Sequence, residues 1–205
     1  MDSVVILANG DFPTHPIPLR ILKDTKSIIC CDGAVNNLET NGRGPEFIIG
    51  DMDSISADLK DKYSKIIISK PDQDENDLRK AISWAEDNNV TKAAILGASG
   101  KRDDHSLANI FTLLQYPSKL NLTIYTNYGI FSVVKGEQKF DSFTGEQVSL
   151  FSADQNIEIT STYLKYNLNN KKLTNLYCGS LNESINDVFT LSISHGKILV
   201  YQVYN

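Results

Sequence analysis

Six short apolar runs punctuate the first part of the chain: VVILA (4–8), SIIC (27–30), EFIIG (46–50), KIIIS (65–69), KAAILG (92–97) and LTIYT (122–126). Each is nearly continuous rather than alternating, and several are β-branched. That pattern suits strands covered on both faces of a parallel sheet. Between the runs lie helical patterns over 33–40, 56–64, 75–88 and 104–116. In the third, Leu78, Ala81, Ile82 and Ala85 fall on one face at helical spacing. The alternation predicts a βαβα arrangement with right-handed crossovers.

The period changes near Tyr128-Gly129. Beyond it, IFSVV, EQVSLFS, IEITST, KLTNLY, VFTLSIS and KILVYQVY are short and rich in Thr, Val, Ile and Tyr. Turn-forming KGE, TGE, NLNN and SHGK separate them. Such spacing predicts an antiparallel sandwich or barrel. Two domains are expected, 1–128 as an α/β unit and 129–205 as an all-β unit.

Charge narrows the function. The net charge of −5 argues against a general nucleic-acid or membrane-surface binder. All four arginines (Arg20, Arg43, Arg79, Arg102) precede residue 128, which places the ionic chemistry in the first domain. Cys30, Cys31 and Cys178 make a poor disulfide framework and fit a reducing cytoplasm. No basic segment leads into a long apolar run at the N-terminus, so a secretory leader is not expected. Nothing approaches the ~18 apolar residues of a membrane span.

In an open parallel sheet, ligands bind beyond the carboxyl ends of the strands. Four successive strand ends here carry acids, glycines or both. "CDGAVNNL" supplies Asp32 and Gly33; as a single motif it also reads as a turn before a helix. "IIGDMDSI" sets Asp51 and Asp53 two residues apart. In an extended stretch they share a face and can grip one hard cation; the same D-x-D-S also reads as a turn capping the helix from 56. "GASGKRDDH" offers Gly97 and Gly100 for close backbone approach to a phosphate, with Lys101, Arg102, Asp104 and His105 alongside. It lacks Walker A spacing, and it also reads as a glycine turn with Asp103 or Asp104 as N-cap. "ANGDFP" (8–13) is a weaker candidate of the same kind. "KPDQDENDLRKAI" (70–82) crowds Asp72, Asp74, Glu75 and Asp77. Asp74 reads as an N-cap, with Asp77 completing a capping-box-like pair. Capping leaves Asp72 and Gln73 unexplained, and a shared cation would relieve the repulsion with Asp51 and Asp53.

Together DGAVNNL, GDMDSI, DQDENDLRKA, GASGKRDDH and, more weakly, GSLNES (179–184) resemble the thiamine pyrophosphokinase (thiamin diphosphokinase) family, in order and over nearly the whole chain. The resemblance implies a Rossmann-like parallel-sheet catalytic domain followed by an antiparallel β-sandwich that binds thiamine. It implies transfer of a pyrophosphoryl group from ATP to the hydroxyl of thiamine, giving thiamine diphosphate and AMP. It places Mg²⁺ and triphosphate on Asp51, Asp53, Asp74 and Asp77, with Asp32 and Asp72 close by. Arg102 and Asp104 fall at phosphates and metal. Gln73, Ser180 and Asn182 face thiamine. A homodimer with a shared site is also implied. The chain departs from the family pattern at Asn37 (usually Arg), Lys101 (commonly Gly) and Leu181 (usually Ser or Thr). The acids therefore carry the resemblance more than the thiamine contacts do.

Overall fold

The fold is described from a computed structural model, which describes residues 2–72, 74–117 and 119–205. The chain divides into two compact units, Met1–Asn127 and Tyr128–Asn205. The first runs β1 (Ser3–Leu7), α1 (Pro16–Asp24), β2 (Ile28–Cys31), α2 (Ala34–Thr40), β3 (Phe47–Gly50), α3 (Ala57–Lys62), β4 (Ile67–Ser69), α4 (Asp77–Asp87), β5 (Lys92–Leu96), α5 (Asp103–Gln115) and β6 (Asn121–Tyr125). Its strands are all parallel, in the order β6-β5-β1-β2-β3-β4. The unbroken apolar runs become strands with little exposure: all four residues of β2 are buried, as are Val4 to Leu7 of β1.

This order reverses direction at β1. From there the chain steps through β2, β3 and β4 on one side, then returns to place β5 and β6 on the other. The crevice outside the carboxyl ends of β1 and β5 is the topological switch point, where such sheets bind ligands. Two loops close on each other there. The Ala8 N–H donates to the Leu96 carbonyl, the Gly10 N–H to the Gly97 carbonyl and the Asp11 N–H to the Ser99 carbonyl, each at 2.8 Å. A Cβ on Gly10 would lie 2.3 Å from the Ser99 oxygen, so only glycine permits this approach.

The pattern reading gave no helix over 16–24. α1 begins PIP, and prolines at that spacing suggest a break. They stand in its first turn, where the missing N–H costs nothing. Arg43 secures the other end of this helix, donating to the Leu22, Lys23 and Thr25 carbonyls. At α4 the N-cap is Asn76, whose side chain accepts from the Arg79 N–H at 3.0 Å, not Asp74. Asp77 is then the first helical residue, and the capping-box reading gives way to acid placement against the helix dipole.

The second unit is a β-sandwich. β7 (Gly129–Val134), β14 (Ile198–Val203), β9 (Gln147–Phe151) and the two-residue β12 (Asn182–Glu183) pair antiparallel. A second antiparallel sheet orders β11 (Lys171–Lys172), β10 (Glu158–Thr162), β13 (Val188–Ile193) and β8 (Glu137–Asp141). Inward residues alternate along β13, β9 and β10 and build one core around Phe189, Leu150, Ile159 and Val200. The sandwich alternative is thus the observed one. KLTNLY (172–177) does not continue as a strand: after Lys172 the chain leaves the sheet and turns through a 3₁₀ segment at Leu176–Gly179. Only Leu173 of that stretch is buried, so alternation fails after one step.

Phe189 is fully buried and stacks on Phe140, with ring centroids 4.9 Å apart. Phe189→Ala should remove about 3–5 kcal/mol of stability. Urea unfolding followed by circular dichroism checks this; an unshifted midpoint would place the pair outside the stabilising core.

Candidate active site

At the switch point lies a cavity of about 620 Å³. Its walls come from the ends of four strands of the first unit and the start of α4. The β1 end contributes Asn9 and Gly10, and the β2 end contributes Cys31 and Asp32. Asp51, Asp53 and Ser54 follow β3; Ala98, Gly100, Lys101 and Arg102 follow β5. Glu75 and Asn76 just before α4, Asp77 and Lys80 on it, and His105 and Asn109 on α5 complete it.

The acids are drawn together by turns rather than by an extended stretch. After β3 the backbone bends at once: Met52 has φ +70°, and the Asp51 carboxylate accepts from the Asp53 N–H at 3.3 Å. The expectation that alternation along a strand would align Asp51 and Asp53 is therefore replaced by a tight turn that reaches the same end. Asn36 fixes that turn, donating to the Gly33 and Ser54 carbonyls and accepting from the Ser56 N–H. The Asp32 carboxylate accepts from the Ser54 N–H at 3.1 Å, and Ser54 in turn donates to Asp53 at 2.6 Å. Oxygens of Asp32, Asp51 and Asp53 lie within 4.8 Å of one another.

Burial and mutual repulsion act on this group. Asp32 is only 3 % exposed, and its Oδ1 is buried with no hydrogen-bond partner. Desolvation holds its carboxyl above the usual aspartate range, although hydrogen bonding from Ser54 pulls the other way. Asp77 is also raised, first by burial, with Lys80 opposing and Asp51 and Asp53 adding repulsion. Asp53, fully exposed, is lowered by hydrogen bonds from Ser54 and Asp32. The Cys31 thiol, buried between Asp77 and Asp32, is pushed far up, chiefly by desolvation, and stays protonated.

The opposite wall is basic. Lys101, at φ +59°, donates to the Asn9 side chain at 2.9 Å. Arg102 forms a two-bonded pair with Asp104, at 3.1 and 2.6 Å, which holds that carboxyl down at about 2. Arg102, not Asp103 or Asp104, occupies the N-cap position of α5. Ser106 ties the turn together, accepting from the Gly100 N–H and donating to the Arg102 carbonyl.

Of the residues singled out by sequence, Asn9, Gly10, Asp32, Asp51, Asp53, Glu75, Asp77, Gly100, Lys101, Arg102 and His105 line the cavity. Gly33, Gly97 and Asp104 support it without lining it. A Cβ on Gly97 would lie 2.4 Å from the Ala8 carbonyl, and one on Gly33 2.8 Å from both Asn9 and Ser54. Asp72 and Asp74 are exposed on the turn before α4, outside the lining, where Asp72 accepts from the Asp74 N–H. Gln73 lies outside the described residues. Ser180 and Asn182 belong to the second unit. Ser180 donates to the Tyr177 carbonyl. The buried Asn182 amide is committed to the backbone of Tyr166 and Glu183. Sequence reasoning gave no site role to Lys80 or Asn109, and read Cys31 as a strand residue, which it is. Lys80 had one signal, its position three residues after Asp77 on the same helix.

Known proteins place this architecture. A family model described as thiamin pyrophosphokinase, catalytic domain, matches residues 19–126; one described as thiamin pyrophosphokinase, substrate-binding domain, matches 129–201. Among curated relatives, a thiamine pyrophosphokinase of Bacillus subtilis is 28% identical, covering 98% of each chain. Thiamin pyrophosphokinase 1 of Caenorhabditis elegans is also 28% identical, over 93% of this chain and 84% of its own. The fold matches the crystal structure of the Bacillus subtilis enzyme with a TM-score of 0.82 at 20% identity over all of both chains. It matches that from Candida albicans at 0.79 and 20%, over 99% and 93%. With both domain models matched in order, the chain belongs to the thiamin pyrophosphokinase family, whose ATP-dependent reaction places a pyrophosphoryl group on thiamine to give thiamine diphosphate.

Proposed function

We propose that this transfer takes place in the cavity at the β1/β5 switch point, with Mg²⁺ held by Asp32, Asp51 and Asp53 and with Asp77 beside them. One observation carries the reading: three carboxylates converge within 4.8 Å and one of their oxygens, Asp32 Oδ1, is buried without a partner. A hard cation with oxygen ligands fits that donor set. Asp74 and Asp72, on the exposed turn before α4, form the outer edge of the same acid wall. Mg²⁺, when bound, neutralises charge on phosphate oxygens.

The remaining roles follow from charge and reach. Gly97 and Gly100 let backbone N–H groups near the polyphosphate, and Lys101, Arg102 and His105 face it, with Asp104 holding Arg102 in place. The hydroxyl oxygen of thiamine attacks the β-phosphorus of ATP. The bond from that phosphorus to the oxygen it shares with the α-phosphorus breaks, and AMP leaves with that oxygen and the electron pair. The hydroxyl proton passes to water or to an aspartate of the wall. Residues 1–128 are assigned as the catalytic domain and 129–205 as the thiamine-binding domain. Gln73, Ser180 and Asn182 are the assigned thiamine contacts, Asn182 by shaping the Tyr166 backbone. No helix among the described residues is long and apolar enough to cross a membrane. Three free thiols accord with a cytoplasmic setting.

Incubating the protein with ATP, Mg²⁺ and thiamine should release AMP in step with thiamine diphosphate, and release should stop without thiamine. ADP as the product, or AMP formed independently of thiamine, would overturn the reading. The metal site has its own test. Asp32 has a raised folded-state value. Its protonated form therefore favours folding below the ordinary aspartate range, and that contribution is lost as pH rises through the folded value. Metal-free Asp32→Asn should melt higher than wild type at neutral pH, by about 2–4 °C per kcal/mol recovered, with the gap closing in acid. Mg²⁺ should raise the wild-type melting temperature at neutral pH and leave the variant nearly unmoved. Equal Mg²⁺ responses would remove Asp32 from the site. A homodimer with a shared site is the proposed assembly; light scattering that finds an active monomer at assay concentration would exclude it.

A further inference from the structure

Lys80 is a lysine with 4 % of its surface exposed, in a class of residue almost never fully buried unless paired. Its pairing is slight. The ammonium is 3.5 Å from Asp77 Oδ1, at the outer limit of a hydrogen bond, and that carboxylate is itself 31% exposed. An ammonium carries three donors. Side chains on a helix lean toward its N-terminus. From the second turn of α4 the ammonium is thus carried back over Asp77 and Asn76, where the helix meets the cavity, and Lys80 is part of the cavity lining.

The charges of that lining make the position informative. Asp32, Asp51, Asp53, Glu75 and Asp77 face three full cations, Lys80, Lys101 and Arg102. Lys101 and Arg102 are exposed and engaged with Asn9 and Asp104. Among the described lining residues, Lys80 is the cation that is buried and only loosely engaged. Stability is a weak reason to keep it, because replacing a buried charge pair by apolar groups of similar size is often neutral or stabilising.

We propose that Lys80 is a further catalytic residue that touches the transferred diphosphoryl group of the nucleotide, with Asp77 holding its ammonium until the polyphosphate arrives. The inference rests on the function proposed above. In the nucleotide-bound enzyme the buried ammonium meets phosphate oxygens at the cavity wall, where a charge already in place stabilises the charge that develops there. It acts on the β- and γ-phosphates and not on the nucleoside end.

The test compares Lys80→Met and Lys80→Arg with wild type. Met keeps the length of the stem without the charge, so metal-free K80M should melt at or above the wild-type temperature. Binding of AMP and of α,β-methylene ATP, which cannot break at the α–β link, is then measured by titration calorimetry with Mg²⁺. K80M should keep its AMP affinity within about twofold, lose about tenfold or more for the analogue, and lose kcat by about 10²-fold, the range for one preorganised charge. K80R should recover part of both losses. Unchanged analogue binding and kcat, an equal loss for AMP and the analogue, or an activity loss that tracks the unfolded fraction would each overturn the proposal. Should K80M fail to fold, Lys80→Gln and K80R carry the same comparison. Thiamine-dependent AMP release by wild type separates the two levels. Its absence defeats the function reading, whereas an active wild type with an indistinguishable K80M defeats only the role of Lys80.

Discussion

Like-charge repulsion among carboxylates is the constraint around which the first unit is built. Asp32, Asp51 and Asp53 bring ligand oxygens within 4.8 Å, and Asp77 joins them from the start of α4. Burial raises the proton affinity of Asp32 and Asp77, and repulsion from neighbouring carboxylates adds to the effect. Without a cation, Asp32 and Asp77 hold their protons more readily than free aspartates, and Ser54 bridges Asp32 and Asp53 by hydrogen bonds. With one, the same arrangement becomes a ligand set. An arrangement unfavourable alone and favourable with a divalent ion and a polyphosphate is expected where function has set the sequence.

The sheet holds the group in place. Each acid follows a buried strand: Asp32 follows β2 and Asp51 follows β3. The strands pair in parallel register, Cys31 opposite Ile49, so their ends are aligned and the acids meet without long loops. The basic wall is positioned in the same way. Ala8 to Asp11 and Leu96 to Ser99 continue the β1/β5 pairing past the strand ends through backbone hydrogen bonds, and glycines at 10 and 97 make that approach possible. Asn109 then links the loop after β5 to α4, donating to the Ala98 carbonyl and accepting from the Asn76 side chain. Acid and base walls are thus fixed to one scaffold.

Much of this was legible in the sequence, for identifiable reasons. Continuous β-branched runs have one stable use in a soluble fold, so the strands of the first unit fell within a residue or two of their patterns. The strand-end rule then pointed to Asp32, Asp51, Asp53 and Arg102 without coordinates. What escaped was local or relational. α1 was hidden by prolines that suit a first turn. β8, EQKFD, turns only Phe140 fully inward and gives too little alternation to register. The N-cap of α4 went to Asn76, whose side chain reaches the Arg79 N–H, whereas Asp74 lies in the preceding turn with its N–H donating to Asp72. Lys80 was invisible because a lysine in a helix reads as solvated; its burial is a property of the neighbours, not of the residue.

The strained backbone positions follow the same logic. Asp32, Met52 and Lys101 all have left-handed φ values, +40°, +70° and +59°, and each stands in the turn after a different strand of the site. Such conformations cost on the order of 1–3 kcal/mol each in a residue other than glycine, and persist only where surrounding structure enforces them. Here the enforcement is visible: the Asp32 N–H donates to the Ile49 carbonyl, Asn36 grips the turn that contains Met52, and Ser106 closes the turn that contains Lys101. Glycine would satisfy the backbone at all three positions with less strain. A side chain is retained instead, and at two of the three it is a charged group facing the cavity. The strain is therefore best understood as the cost of directing Asp32 and Lys101 to opposite walls of one site. The parallel sheet beneath supplies the rigidity that sustains it.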